Sequence, residues 1–547
     1  MYDVILLTSI FDEVKIAEPL GICYLAAALR ENGFSVKIIE PSVEGWSVER
    51  TAKVVLSTPG RLIGISVHRD KNKKNVLEFL KIIRKMARDR FVCIGGHGPS
   101  VGLMAERAFS TKYTRIGYDE IGRYADAFMI GESEVSFPQL VGRVLASQEW
   151  RRVPGVAYLK EEGTFVANPP VPKIKDLDTI PFMARDVLEQ YLQKYGPPLP
   201  VSLSFGRGCL YKCSFCTVRR FESLQAGKNH RQRSVENVIA EIRYLHDEYG
   251  ITEFNFEDDN FIIKNRRGIH KLHSLCEAIL QLDFSISFTM FCRADALEEG
   301  LFLDLKKAGL KGIYLGIESI YESDLEFFHK GCEQVQIREA LDTFLRLGYS
   351  PEVGSPLRLM VGYITWHPLS TFSQLRASAR FIRSYKMPPK LLRRSLRFYT
   401  GVPIRDPIEE LGLLDEESDD GWTYRNPQLR TLQVLVNNYF RMVNDVRDKT
   451  RTLEKAVERY GRKDISLLDI THIRGELDAK CFDYFDGLIN TGEANTDGSS
   501  GEAVERFDKK KRAELSSYLE ETDVRKKIND VLAALELPPD SHDIFRK

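Results

Sequence analysis

Hydrophobic positions in this chain fall into short unbroken runs separated by longer stretches with helical spacing, and the two kinds of segment take turns over most of the sequence. Val4 to Leu7 is such a run; Ile22 to Arg30 is Ala- and Leu-rich, fits a helix, and stops at Asn32-Gly33. Runs recur at 35–40, 62–67, 91–94 and 127–130, with helical stretches at about 48–56, 75–88, 102–109 and 137–145. Strand and helix in turn predict a doubly wound parallel sheet over residues 1–150, with ligands at the carboxyl ends of its strands.

Val153–Leu159 and Gly163–Ala167 read as a small hairpin, and the following segment to Pro200 is punctuated by proline, so 151–200 reads as a connector. From 201 the alternation resumes at longer spacing, with runs at 201–205, 253–257, 287–293, 312–317, 357–362 and 396–399 and helical stretches between them. Six such units predict a partial parallel (β/α)6 barrel over 201–410, with its chemistry again at the carboxyl ends of the strands. Beyond it, 415–420 is an acidic turn, and Leu432, Leu435, Val436, Tyr439, Phe440 and Val443 mark a helix with one buried face. Residues 490–501 read as a flexible loop and 502–537 as a last amphipathic helix, so 411–547 is expected to be helical. The fold class is α/β with a helical carboxyl-terminal region.

Charge excludes little but biases some classes. Lys and Arg total 78, Asp and Glu total 78, and the net charge of zero gives no overall pull toward nucleic acid or membrane. The start, Met1-Tyr-Asp-Val, lacks a basic segment and cleavage site, and no run of 18 apolar residues occurs, so a soluble cytoplasmic protein is expected. Cys23, Cys93, Cys276, Cys292, Cys332 and Cys481 are scattered without pair spacing and read as free thiols.

The other three cysteines are not scattered. Cys209, Cys213 and Cys216 stand at CxxxCxxC spacing inside Ser204-Phe-Gly-Arg-Gly-Cys-Leu-Tyr-Lys-Cys-Ser-Phe-Cys. Three thiolates so spaced suit a 4Fe-4S cluster and leave one of its irons without a protein ligand. Gly206 and Gly208 let the backbone wrap closely, and the apolar run before them reads as a strand that ends in this loop. In the first domain the strand-end loops carry Gly95-Gly96-His97-Gly98 and Gly131-Glu132-Ser133-Glu134, which would let a flat ligand or a phosphate approach the backbone.

With Arg231-Gln-Arg-Ser234 and Phe254-Asn-Phe-Glu-Asp-Asp-Asn260 following the cysteine loop, residues 1 to about 410 resemble the cobalamin-dependent branch of the radical S-adenosylmethionine superfamily. The resemblance implies three cofactors: a 4Fe-4S cluster on Cys209, Cys213 and Cys216, S-adenosylmethionine, and cobalamin in the first domain. It implies that Asp259 and Asn260 lie near the amino-acid part of S-adenosylmethionine, Glu318 near its ribose, and Arg293 near its carboxylate or the substrate. Pro19-Leu20-Gly21, Ser66, His68 and Arg69, Gly95-Gly96-His97 and Gly131-Glu132 match the cobalamin loops in order. The Asp-x-His-x-x-Gly signature that elsewhere supplies an axial histidine is missing, since His68 has Ser66 and Lys71 in the flanking places. Arg69 would then lie near the lower face of cobalt without ligating it, because guanidinium stays protonated.

Tyr363, Trp366 and His367 after the fifth strand, and Arg397 and Tyr399 near the sixth, are candidate pocket residues. The activity implied is methylation of an unactivated carbon of a small-molecule substrate. A flavodoxin or ferredoxin would supply electrons. The alternatives are a radical rearrangement, cyclisation or oxidation without methyl donation, and a non-catalytic cobalamin or iron-sulfur binding protein.

Overall fold

The computed structural model describes residues 1–547 except 14, 16, 69–71, 105–116, 198, 353–354, 400, 416, 419, 461–466, 495–499 and 522–547. The first strands, β1 (Tyr2–Thr8), β2 (Val36–Ile39), β3 (Gly60–Ser66), β4 (Phe91–Gly95) and β5 (Ala127–Met129), form a parallel sheet in the order β2-β1-β3-β4-β5. Their apolar runs are continuous because both faces are covered. Val4 and Leu6 point to one core, with the helices Leu20–Glu31 and Ser136–Leu145; Ile5 and Leu7 point to the other, with Val48–Ser57 and Lys73–Met86. The order reverses between β1 and β3, which opens a crevice at their carboxyl ends, beside Ser9 and Val67.

The hairpin assigned to the connector belongs to this sheet. β6 (Val156–Leu159) and β7 (Phe165–Ala167) extend it as antiparallel edge strands after β5. Short hairpin strands leave no periodic signature that says which sheet they join.

The second sheet is parallel throughout: β8 (Val201–Leu203), then, after a separate antiparallel pair β9 (Gly206–Gly208) and β10 (His230–Gln232), β11 (Glu253–Phe256), β12 (Ser287–Arg293), β13 (Leu310–Glu318) and β14 (Arg358–Tyr363), in the order β14-β13-β12-β11-β8. Phe254, Phe256, Phe288, Met290, Ile313 and Leu315 bury its outer face in a single core shared with the surrounding helices. The fold class is the one expected, with one strand fewer in the barrel. Leu396–Tyr399 forms no strand; its place is held by a bridge between Trp366 and Ser395 and by the amide of Leu396 on the carbonyl of Trp366. The turn Pro389–Arg393 just before it captures the Trp366 indole through the carbonyl of Leu392, which fixes the chain without a ladder.

Leu432, Val436, Phe440 and Val443 on the helix Gln428–Tyr460 join the barrel core, and Leu467–Ala494 packs on the outer helix Phe372–Ser384. Residues 490–494 of the expected loop continue that helix, and the last helix spans Ser500–Glu521 as far as the described residues go. Among the described residues no helix is long and apolar enough to cross a membrane.

Candidate active site

The cysteine loop is held open by backbone geometry that only glycine permits. Gly208 has φ +81°, and a Cβ there would fall on the carbonyl oxygen of Asn229, just before the facing strand. Gly206 pairs with Gln232 and Gly208 with His230, so the β9–β10 pair forms the wall from which Cys209 emerges. Asp258, fully buried after β11, accepts the amide of Phe205 at 3.0 Å and that of Gly206, tying the start of the loop to the second strand end. Cys213 is buried, whereas Cys209 and Cys216 are partly exposed. Burial first, then the neighbouring thiols and Asp259, push the Cys216 thiol up to about 12. Among the described residues no three His, Cys, Asp or Glu side chains close round a single ion. A cubane instead spreads its thiolates over separate corners.

Two more strand ends, and the rest of the turn after β11, converge on this loop. Arg293, buried at the end of β12, donates through Nη1 to Sγ of Cys213 at 3.4 Å and lies 3.6 Å over the ring of Tyr211. Glu318 ends β13 at a register shift with φ +64°, a conformation that a residue with a Cβ adopts at a cost of about 1–3 kcal/mol. Its carboxylate accepts from the buried Lys330 at 3.2 Å. Asn260 is buried and donates to the carbonyl of Ile262, while its Oδ1 has no hydrogen-bond partner. Asp259 keeps an exposed edge beside the loop, but protein packed around its carboxyl, then the charge of Glu222, push that group up to about 6 against the amide of Gly208.

The carboxyl of Asp258 is pushed up to about 7, chiefly by burial, against the two amides that favour its charged form. A folded-state value above the unfolded one makes stability fall as pH rises between the two, by about 1.4 kcal/mol for each unit separating them. Wild type should therefore lose stability relative to Asp258→Asn between pH 4 and pH 7, read from urea midpoints at each pH. Parallel profiles would remove burial as the dominant influence on Asp258.

The inward face of the barrel is partly open. The register aligns Phe291, Tyr314 and Met360 across β12, β13 and β14, one repeat below Arg293, Gly316 and Gly362. Phe291 and Met360 keep 37% and 39% of their surface exposed, so this apolar row faces free space. The pocket residues expected from the sequence lie elsewhere. Tyr363, Trp366 and His367 are buried in the core: Tyr363 bonds Ser378, Trp366 bonds the carbonyl of Leu392, and His367 lies 3.4 Å from Asp324. Arg397 is exposed and Tyr399 half-buried, and neither lies on a strand.

The first domain brings its loops to the same place. Pro19 precedes the helix Leu20–Glu31, and Gly21 faces open space. Gly96, at φ +99°, passes so close to Val67 and Ser66 that a Cβ would meet the Val67 carbonyl oxygen at 2.8 Å. His97 opens the next helix and stacks on Phe221, ring centroids 5.1 Å apart, just beyond the cysteine loop. His68 is exposed, with its ring 6.0 Å from that of His97; Arg69 lies outside the described residues. Gly131 and Glu132 are drawn into the seam between domains. Gln225 accepts the Glu132 amide at 2.7 Å, and the Glu132 carboxylate pairs with Arg231 on β10. Burial raises the Glu132 carboxyl, but the hydrogen bond from Arg231 and the charges of Arg207 and Arg231 outweigh it and hold the group below the usual range.

A radical SAM superfamily model matches residues 203–374, and a B12 binding domain model matches residues 14–140. An uncharacterized methyltransferase of Pyrococcus horikoshii is 32% identical over 368 residues, 67% of this chain and 73% of that protein. The chain belongs to the cobalamin-dependent radical S-adenosylmethionine methyltransferase family. Its cofactors are a 4Fe-4S cluster, S-adenosylmethionine and cobalamin. Cytidylyl-2-hydroxyethylphosphonate methyltransferase of Streptomyces wedmorensis is 27% identical over 288 residues, 44% of this chain and 51% of that one. In three dimensions the chain is similar to the cobalamin-dependent S-adenosylmethionine radical enzyme OxsB, solved with aqua-cobalamin and S-adenosylmethionine bound: TM-score 0.76 at 16% identity, over 100% of this chain and 84% of that one.

Within this family architecture several charged residues at the site carry no sequence signal. Glu18, Arg185, Glu241 and Arg233 form one buried ionic chain, with Arg185 2.8 Å from each of the two carboxylates and Arg233 2.6 Å from Glu241. Lys173 of the connector pairs with the buried Glu222 at 2.7 Å, directly behind the cysteine loop.

Proposed function

We propose that this enzyme methylates an unactivated carbon of a small molecule, with the cluster held by Cys209, Cys213 and Cys216 and cobalamin held by the loops after β1, β3, β4 and β5. When bound, the cluster and S-adenosylmethionine supply a 5′-deoxyadenosyl radical, and cobalamin supplies the methyl group. The observation that carries this reading is the meeting of the two loop sets: His97 of one domain stacks on Phe221 behind the cysteines of the other. The chain's own residues bind and orient. Gly208 gives the cluster loop its close backbone approach, and the unpartnered buried Oδ1 of Asn260 is an acceptor suited to the amino group of S-adenosylmethionine. Gly21 leaves room for a large flat ligand at the crevice, and Gly96 lets the loop after β4 pack directly on Val67 beside it. The half-exposed row Phe291, Tyr314 and Met360 suits an apolar reacting part of the substrate. A small flavodoxin or ferredoxin is the natural electron donor in a cytoplasmic setting, and the zero net charge gives no support for a nucleic-acid substrate.

The test is omission under anaerobic conditions with iron, sulfide and candidate substrates. Without cobalamin, 5′-deoxyadenosine should still form and methylated product should not. With cobalamin, methylated product, 5′-deoxyadenosine and S-adenosylhomocysteine should appear in equal amounts. Product with S-adenosylhomocysteine but no 5′-deoxyadenosine would replace the radical step by polar methyl transfer; product without added methyl would replace methylation by rearrangement or oxidation.

A further inference from the structure

We propose that Arg293, braced by Lys330 and Asp295, is a positioning residue that fixes Cys213 relative to Glu318 and sets the reduction potential of the cluster. This rests on the reading of Cys213 as a cluster ligand. Every donor nitrogen of Arg293 is placed. Nε donates to Oδ1 of Asp295 at 2.8 Å, Nη2 to Oδ2 of Asp295 at 3.3 Å and to the carbonyl of Lys330, and Nη1 to Sγ of Cys213 at 3.4 Å. The planar guanidinium also lies on the ring of Tyr211, inside the same cysteine loop, so its plane is fixed as well as its distance. Lys330 connects this point to the strained strand end: its carbonyl receives Arg293, and its ammonium, 4% exposed, is 3.2 Å from Glu318. The segment that carries Lys330 holds the cysteine loop a second time. The carbonyls of Phe327 and Phe328 accept the hydroxyl and the amide of Ser214 at 3.0 and 2.8 Å.

A donor and a positive charge on a cluster thiolate favour the reduced, more negative cluster and raise its potential; a carboxylate nearby opposes this. Arg293 and Asp295 thus act on the potential with opposite signs, which a merely structural role would not produce. The test is a dye-mediated redox titration, followed by electron paramagnetic resonance, of the full chain reconstituted with iron and sulfide. Arg293→Gln should shift the midpoint to more negative values, Arg293→Lys should shift it less in the same direction, and Asp295→Asn should shift it to more positive values. Shifts of the same sign in Arg293→Gln and Asp295→Asn, or none in variants that keep about four irons, would overturn the proposal. If Arg293→Gln holds no iron, Asp295→Asn decides alone: a positive shift supports it, and anything else overturns it. A wild-type chain that binds no cluster would instead overturn the ligand reading on which this one stands.

Discussion

Arg185→Met should destabilise the protein by about 3–5 kcal/mol, because it removes the cation from between two carboxylates that have no water to turn to. Arg185 is 4% exposed, and its side chain donates to both oxygens of Glu18 at 3.0 and 2.8 Å, to the carbonyl of Ser202 at 3.2 Å and to Glu241 at 2.8 Å. These partners come from the loop after β1, from β8 and from the helix Val235–Tyr249, so one guanidinium ties the first domain to the barrel. Glu241 keeps Arg233 after the substitution, but among the described residues Glu18 keeps only the amide of Ser202 at 3.2 Å. Burial already pushes the Glu18 carboxyl up, against the pull of Arg185. The double variant Glu18→Gln/Arg185→Met should therefore be more stable than Arg185→Met alone. Urea unfolding of the three chains measures this; a single variant within about 1 kcal/mol of wild type would show that Arg185 holds nothing together. Because Glu18 directly precedes Pro19-Leu20-Gly21, cobalamin affinity should fall in Arg185→Met and recover in part in the double variant.

Parts of this architecture are legible in the sequence because their physics is local. A strand buried on both faces must be a continuous apolar run, and Val4 to Leu7 could hardly be read otherwise. The cysteine triplet stands out for the same reason, since its spacing suits a cluster and needs no distant partner, and the structure gathers it on one turn. The β9–β10 pair is not legible, because Gly206-Arg-Gly208 carries no alternation, and its pairing follows from glycine geometry and a partner 22 residues away. Arg185 lies in a proline-punctuated segment where a charge reads as solvated, and its partner Glu18 is 167 residues distant. Tyr363, Trp366 and His367 show a further limit. An aromatic just past a strand end fits a pocket or a core equally well, and only three-dimensional neighbours such as Ser378 and Leu392 decide for the core. The residues that do face free space, Phe291 and Met360, sit within apolar strands and are indistinguishable by type from the buried ones beside them.

Replacing Cys209, Cys213 and Cys216 together by alanine should remove the iron-sulfur absorbance entirely and with it all cleavage of S-adenosylmethionine, whereas Cys332→Ala should keep about four irons and the cleavage. The comparison is informative because Cys332 is a further thiol near this loop, close enough for its charge to act on that of Cys213. It is buried just beyond Lys330, and burial, against the charges of Lys330 and Arg293, pushes its thiol up to about 11. A fourth thiolate on the cluster would close the iron that S-adenosylmethionine needs. The geometry favours the open arrangement: Cys332 lies on the loop between helices Glu322–Phe327 and Gln334–Arg346, while the three proposed ligands share the turn between β9 and the helix Thr217–Glu222. Iron and sulfide content with 5′-deoxyadenosine formation, measured anaerobically on both variants, decides between them. Full iron in the triple variant would move the ligands elsewhere, and loss of iron in Cys332→Ala would make the site four-thiolate and leave no iron open for chemistry.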